Sequence, residues 1–293
     1  MQTLTETPAL VENGFARWDL AEEFGISETD ASFQSLRAEF VDLPPDPYAT
    51  EEGRNRRYAR GIFLPWSREF SWIPDTHLGE SGWMNGYWQA DHNPDYVGVL
   101  RKLPAMSEAA RNNPIIHEIL SFDFAQTRWS QSDAAFPLHV GVHLIKLAVD
   151  DSGSEAISSP NELHQDGEPF VFAHLVYRTN VVGGSNVIAP PKYRGKLPED
   201  VPEGEALAEF ELTKPLESYG VTDEKVSHYV SPIRRGKARR PASARWSWST
   251  SPRCGSTSES VGCLEHVGPD RTDPRHGACT RPCGGPTAAP ALA

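Results

Sequence analysis

The residues best suited to chemistry lie in the segment Asn161-Glu162-Leu163-His164-Gln165-Asp166-Gly167-Glu168. In an extended strand, side chains two apart share a face, so His164 and Asp166 would present an imidazole and a carboxylate side by side. A further histidine, His228, lies in EKVSHYVSPI, whose composition predicts a strand. Two imidazoles and one carboxylate on one side of a metal ion leave its other positions open. That donor set suits iron(II) acting with a bidentate co-substrate and dioxygen. A plainer reading competes with it. A His-x-Asp pair arises easily by chance in a chain with ten histidines, and this one would then be a solvated turn ahead of Gly167. By the same reasoning, His228 would be a hydrogen-bonded core residue.

Cysteine offers the body of the chain no alternative chemistry. Cys254, Cys263, Cys279 and Cys283 all lie in the last 40 residues. The preceding body therefore has neither disulfides nor thiolates, and its reactions must rest on His, carboxylates, hydroxyls or Lys. His139, His143 and His174 alternate with apolar neighbours and read as core residues or as supports for ligands.

The elements that must position these groups are mostly strands. From residue 137, PLHVGVHLIKLAVD, EPFVFAHLVYRTNVV, SNVIA, ALAEFELT and EKVSHYVSPI are rich in β-branched and aromatic residues and are separated by Gly, Pro or Asp clusters. In ALAEFELT, Ala208, Phe210 and Leu212 fall on one face and Glu209 and Glu211 on the other, the period of a half-buried strand. Residues up to about 60 read as largely helical, with Ser27 or Thr29 as an N-cap. Residues 60–135 read as aromatic turns around a helix from Ser107 to about Leu120. The expected fold class is mainly β with a helical N-terminal layer, a sandwich or small barrel backed by helices.

Composition narrows the partners. The 293 residues, 38% of them hydrophobic, suffice for one large domain with a real core or for two small ones. A net charge of −12 and a pI near 5.3 argue against a nucleic-acid partner, which needs a basic face. No apolar run reaches membrane-spanning length, and MQTLTETPALVENG has neither the basic nor the apolar part of a secretory signal. A cytoplasmic protein is expected.

Three ordered motifs carry a family resemblance. They are Glu162 to Gly167 (Glu-x-His-x-Asp-Gly), Arg178 to Gly184 (Arg-x-Asn-x-x-Gly-Gly) and His228 to Ile233 (His-Tyr-Val-x-Pro-Ile). Together they resemble the bacterial iron(II)/2-oxoglutarate dioxygenases that hydroxylate free amino acids, the isoleucine hydroxylase group. RNRRYAR and PDYVGVLRKLPAMSE upstream are also similar, and the match covers roughly residues 55–236. The resemblance implies a double-stranded β-helix, the cupin-like jelly roll. Its dioxygenase domain would span 1–236, with a helical part over about 1–130 and a jelly-roll core over about 137–236. It further implies iron(II) held by His164, Asp166 and His228, with 2-oxoglutarate and dioxygen as co-substrates and an amino acid or similar small molecule as substrate. Arg178 could meet a substrate carboxylate bidentately, although an ion pair holding the Gly183-Gly184 turn explains it better. The alternatives are a metal-dependent cupin enzyme that does not use 2-oxoglutarate, and a metal-binding homologue with impaired catalysis.

Beyond Ile233 the resemblance fails. The family holds the distal carboxylate of 2-oxoglutarate with an arginine that opens a strand of the type Arg-x-Val-Leu-x-Asp-Phe-Thr-Pro. Arg245 falls at about the right distance from His228, but Trp-Ser-Trp-Ser-Thr-Ser follows it. Codons chosen within the degeneracy allow a frame starting at the last base of the Arg245 codon. It reads Val-Val-Leu-Val-Asp-Phe-Thr-Pro-Leu-Arg-Val-Asp-Val and then stop, so residues 237–293 are read as a frameshift product. This tail is dense in Pro, Gly, Ser, Thr and Arg, with a net charge of +4 against −16 for the rest. It cannot bury enough apolar surface to offset its ordering entropy, so a mostly disordered segment is expected. A zinc site built from the four cysteines with His266 and His276 is the alternative, but no C-x-x-C pair supports it.

Overall fold

The computed structural model describes residues 7–88, 98–149, 154–158, 160–236 and the backbone of 259–267. The N-terminal stretch is less helical than its composition predicts. Short helices α1 (Ala9–Asn13), α2 (Leu20–Phe24) and α3 (Ala31–Ala38) share it with β1 (Phe15–Asp19). A long strand β2 (Arg54–Leu64) follows, with β3 (Glu69–Trp72) folded back on it. The N-cap of α3 is Asp30 rather than Ser27 or Thr29. Those two hydroxyls bond each other, and the Ser27 N–H donates to Asp30 at 2.7 Å, so they build the turn ahead of the helix.

A small sheet of β4 (Thr76–His77), β5 (Trp83–Tyr87) and β6 (Arg101–Pro104) comes next, then α4 (Glu108–Arg111) and α5 (Pro114–Gln126) where one helix was expected. Pro114 causes the break, because proline disfavours helical backbone at the residue before it. Asn113 becomes the N-cap, its side chain accepting from Ile115 N–H at 3.0 Å, and α5 restarts with Pro114 in its first turn.

The remaining described residues form a jelly roll. It comprises β7 (Leu138–Val149), β8 (Phe170–Thr179), β9 (Val181–Gly183), β10 (Ser185–Ala189), β11 (Ala208–Glu211), β12 (Glu217–Thr222), β13 (Ser227–Val230), β14 (Ile233–Arg235) and β15 (Glu259–Val267). The larger layer is a seven-stranded sheet in the order β1-β12-β8-β15-β7-β2-β3. The smaller layer consists of β11-β10-β13 and β14-β9. Side-chain alternation explains this arrangement. In β7, Leu138, Val140, Val142 and Leu144 join a core with Phe33 and Leu36 of α3 and Ile115, Ile116, Ile119 and Leu120 of α5, whereas Ile145 and Leu147 turn to the interior between the layers. In β8, Val171, Ala173 and Leu175 pack with Ile188, Phe210 and Leu212 of the smaller layer. The central strands are thus buried on both faces, and each large apolar side chain so buried contributes roughly 1.5–3 kcal/mol.

Strand β15 departs from the disorder expected of the tail. It lies between β7 and β8, antiparallel to both, with Cys263 opposite Ile145 and Leu175. β7 is paired with β2 and β8 with β12 on their far sides. Their near edges therefore carry rows of backbone donors and acceptors that only a strand between them can satisfy. Arg245, Cys254, His276, Cys279 and Cys283 lie outside the described residues. No helix among the described residues is long and apolar enough to cross a membrane.

Candidate metal centre

His164 does not sit within a strand, as expected, but at a single antiparallel bridge. Its backbone N–H donates to the carbonyl of His228, and the His228 N–H donates back, each at 2.9 Å. Leu163, fully buried among Val187, Ala189, Tyr193 and Tyr229, anchors the chain at this point. Beyond the bridge the backbone leaves the layer in a turn with Gly167 at φ +82°, a conformation that costs glycine little. Asp223, which is buried, holds the turn. Its carboxylate accepts from Asp166 N–H at 3.1 Å and from Gly167 N–H at 2.8 Å. The Gln165 side-chain amide donates to the carbonyls of Asp223 and Val226 at 2.5 and 3.2 Å. A bridge plus a clamped turn, rather than strand alternation, brings His164 and Asp166 together.

One ligand atom from each of His164, Asp166 and His228 lies within 4.8 Å of the others. His164 Nδ1 faces the Glu162 carbonyl at 2.9 Å and so must be the donor there, which leaves the Nε2 lone pair available to a metal. His228 Nε2 is 3.3 Å from Asp166 Oδ2 and 3.7 Å from Asp223 Oδ1, yet it is buried and makes no hydrogen bond. A buried polar atom in that state is costly, and an ion set between it and Asp166 would satisfy it. The donor set of two imidazoles and a carboxylate fits iron(II).

The electrostatics point the same way. Burial lowers the His164 pKa to about 4, and the neighbouring His228 adds to the effect, so this imidazole is neutral near pH 7. Burial opposes charge on His228 as well, but Asp166 and Asp223 outweigh it and push its pKa up to about 10. The pocket between these groups therefore favours a cation, a role that a proton and a metal ion compete to fill.

The chain matches the 2OG-Fe dioxygenase family over residues 37–244. It belongs to that family. Members of the family use iron(II), 2-oxoglutarate and dioxygen. L-isoleucine-4-hydroxylase of Bacillus thuringiensis is 30% identical over 210 residues, 70% of this dioxygenase and 77% of that protein. The 3(1)-hydroxy-L-isoleucine 4-dioxygenase of Pantoea ananatis is 31% identical over 111 residues, 37% of this chain and 44% of its own. Among solved structures, IDO from Bacillus thuringiensis aligns with a TM-score of 0.60 at 20% identity, covering 89% of this chain and 95% of that one. A bsmA homologue from Methylobium petroleophilum PM1 aligns with a TM-score of 0.65 at 18% identity, covering 89% and 90%. These two structures share the jelly-roll fold of this dioxygenase.

The two arginine candidates fare differently from the triad. Arg178 donates to the carbonyls of Leu212 at 3.0 Å and Gly183 at 2.6 Å and pairs with Glu211 at 2.6 Å. It ties β8 to the Gly183-Gly184 turn and to β11, and this geometry supports a structural role. It also lines a cavity of about 60 Å³ with Leu175, Asn186 and Tyr219, and none of the triad residues lines that cavity. Arg245 lies just past the end of the family match and outside the described residues. Sequence reasoning missed Asp223 altogether. It is one acidic residue in a Thr-Asp-Glu-Lys turn, and no spacing rule links it to residues so far back in the chain.

Proposed function

We propose that this dioxygenase hydroxylates a free L-amino acid or a similar small molecule, using iron(II) held by His164, Asp166 and His228. The supporting observation is the convergence of these three side chains, two of them buried, on the family motif. The named relatives add the substrate class, since both act on isoleucine or a hydroxyisoleucine by their names. When bound, iron(II) with 2-oxoglutarate and dioxygen supplies the oxidising power: the co-substrate is decarboxylated to succinate and one oxygen atom enters a C–H bond.

The chain's own residues do the positioning. His164 offers a neutral imidazole whose ring orientation the Glu162 carbonyl fixes. Asp166 offers a carboxylate from a turn that the Asp223 side chain locks. His228 must give up its proton before it can donate a lone pair, and until then the negative charges of Asp166 and Asp223 favour its protonated form. Burial of both imidazoles limits water at the centre and strengthens each electrostatic interaction there.

The test is incubation with iron(II), 2-oxoglutarate and a panel of aliphatic amino acids, following succinate and a hydroxylated product by mass spectrometry. Amino-acid-dependent succinate is expected. Production no higher than that of His164→Ala across the whole panel would sink the proposal.

A second reading, a metal-binding homologue with impaired catalysis, is favoured by one observation. The family match stops at residue 244, and residues 259–267 stand in the sheet position between β7 and β8. A frame-corrected version run beside this chain separates the two readings. Equal metal binding with turnover by the corrected version alone supports the second.

A further inference from the structure

The chain leaves the jelly roll and re-enters it at one corner. Arg235 of β14 lies opposite Val181, and the Gly236 N–H donates to the Asn180 carbonyl at 2.7 Å. Strand β15 begins beside the same corner, with Ser260 opposite Thr179. Gly236 and Ser260 are therefore neighbours, and the residues between them need not carry the chain across the fold to deliver β15. Pairing alone sets the position of this strand. On one side it matches β7 residue for residue, from Glu259 opposite Val149 to Val267 opposite Gly141. On the other it follows β8 from Thr179 to Val171, slipping once between Gly262 and Cys263.

The slot between β7 and β8 is selective. Both of its edges present backbone donors and acceptors, so a proline within the inserted strand would cost a ladder bond. Residues 253–268 are the longest proline-free run after Gly236, and β15 lies inside it. Val261, Leu264 and Val267, three of the four Val and Leu residues after Gly236, fall within β15. The strands on either side are largely buried on both faces, which suits such residues. The fit is nonetheless incomplete. Gly262 is a weak strand residue, and the register sets His266 between Val142 and Phe172, both fully buried. Backbone pairing on two edges, more than residue type, therefore holds the strand.

We propose that the space between β7 and β8 is a strand-acceptor site, and that residues 259–267 bind it as an independent peptide. The covalent connection only raises their local concentration. The partner that such a site fits is an extended, proline-free segment with aliphatic residues, donated as a strand and paired along both edges. A chain cut between Gly236 and Glu259 then remains one assembled body. The inference does not depend on the metal centre or on the dioxygenase reading.

The experiment uses the full chain with a recognition sequence for a site-specific protease inserted between Arg245 and Trp246. After cutting, the C-terminal piece is expected to co-elute with the body in size-exclusion chromatography and to separate from it in denaturant, both pieces being identified by mass spectrometry. Loss of the piece under native conditions overturns the proposal, whether the body stays soluble or precipitates. A labelled synthetic peptide of residues 257–268, added in excess to the cut protein, should replace the piece. The same peptide with His266→Val should dissociate about tenfold more slowly, and with Leu264→Pro it should not bind. Equal binding of all three peptides would mean that no strand forms, which also overturns the proposal. If the insertion prevents folding, hydrogen exchange on the unaltered chain decides. Amides of 259–267 should then be protected as strongly as those of β7, and rapid exchange throughout the segment overturns the proposal.

Discussion

Two buried histidine–carboxylate groups lie on either side of the large sheet, and they are built to opposite ends. On the helix side, His174 of β8 meets Asp123 of α5 at 2.9 Å through Nε2 and Ser218 of β12 at 2.8 Å through Nδ1. All three residues are fully buried, and Ser218 donates onward to the Leu216 carbonyl at 2.8 Å. Both ring nitrogens are used, so the group is closed at its imidazole and pins α5 to the sheet. On the interior side, His228 Nε2 stands 3.3 Å from Asp166 without a hydrogen bond, and the Asp166 side chain is 20% exposed. That group is open at one corner. The residue types are the same in both, and what separates structure from chemistry is whether the ring nitrogens are already satisfied.

Paired substitutions should break this comparison if it is wrong. His164→Ala removes a proposed ligand from the open group and is expected to abolish cobalt(II) or iron(II) binding, the largest effect, with the fold retained. His174→Ala leaves Asp123 buried without its imidazole and should cost about 3 kcal/mol or more in denaturant unfolding, with metal affinity unchanged. Metal titration and equilibrium unfolding of the two variants decide the matter. A stable His174→Ala protein with weakened metal binding would overturn the division of roles.

Much of this was legible in the sequence, and the exceptions are physical. His164, Asp166 and His228 stand in motifs whose order survives any folding, and β7 and β8 read as continuous apolar runs because helices cover one face and the smaller layer the other. Asp223 was hidden because its role depends on where two turns meet, a distance that no local pattern encodes. Arg54, Arg56 and Tyr58 do alternate with period two in RNRRYAR, but arginines on a strand face usually signal solvent, and it is distant Asp46 that pairs with Arg54 and Tyr87 of β5 that lies against Arg56 and Tyr58. Strand β15 was hidden for a different reason. Composition over the whole tail describes its average, whereas the gap between β7 and β8 selects nine residues from it.

Asp223 offers a sharper test than either histidine, because it belongs to the open group without being one of the three proposed ligands. Asp223→Asn keeps the side chain's shape but halves its acceptor capacity toward the Asp166 and Gly167 N–H groups. Metal affinity should fall about 10–100-fold, as for other residues that orient a ligand. The far-UV spectrum and unfolding midpoint should change little. An unaltered affinity would mean that the turn holds Asp166 without help, and Asp223 would then fall outside the open group.

The smallest effect is a slope with pH, and its sign follows from the two histidines. His228 has its pKa raised from 6.5 to about 10 by Asp166 and Asp223 against burial. Its protonated form therefore stabilises the metal-free protein fully below about pH 6.5, and that stabilisation fades as pH rises through about 10. A metal bound at Nε2 must expel this proton, so apparent affinity should rise about tenfold per pH unit above neutrality until that pKa is reached. His164, lowered to about 4, is already neutral in this range and adds no slope. Calorimetry in buffers of different ionisation enthalpy counts the released proton directly. Asp223→Asn removes one of the two charges that hold it and should flatten the slope, whereas His174→Ala, in the closed group, should leave it unchanged. A flat wild-type profile would place the proton, and so the ligand role, somewhere other than His228.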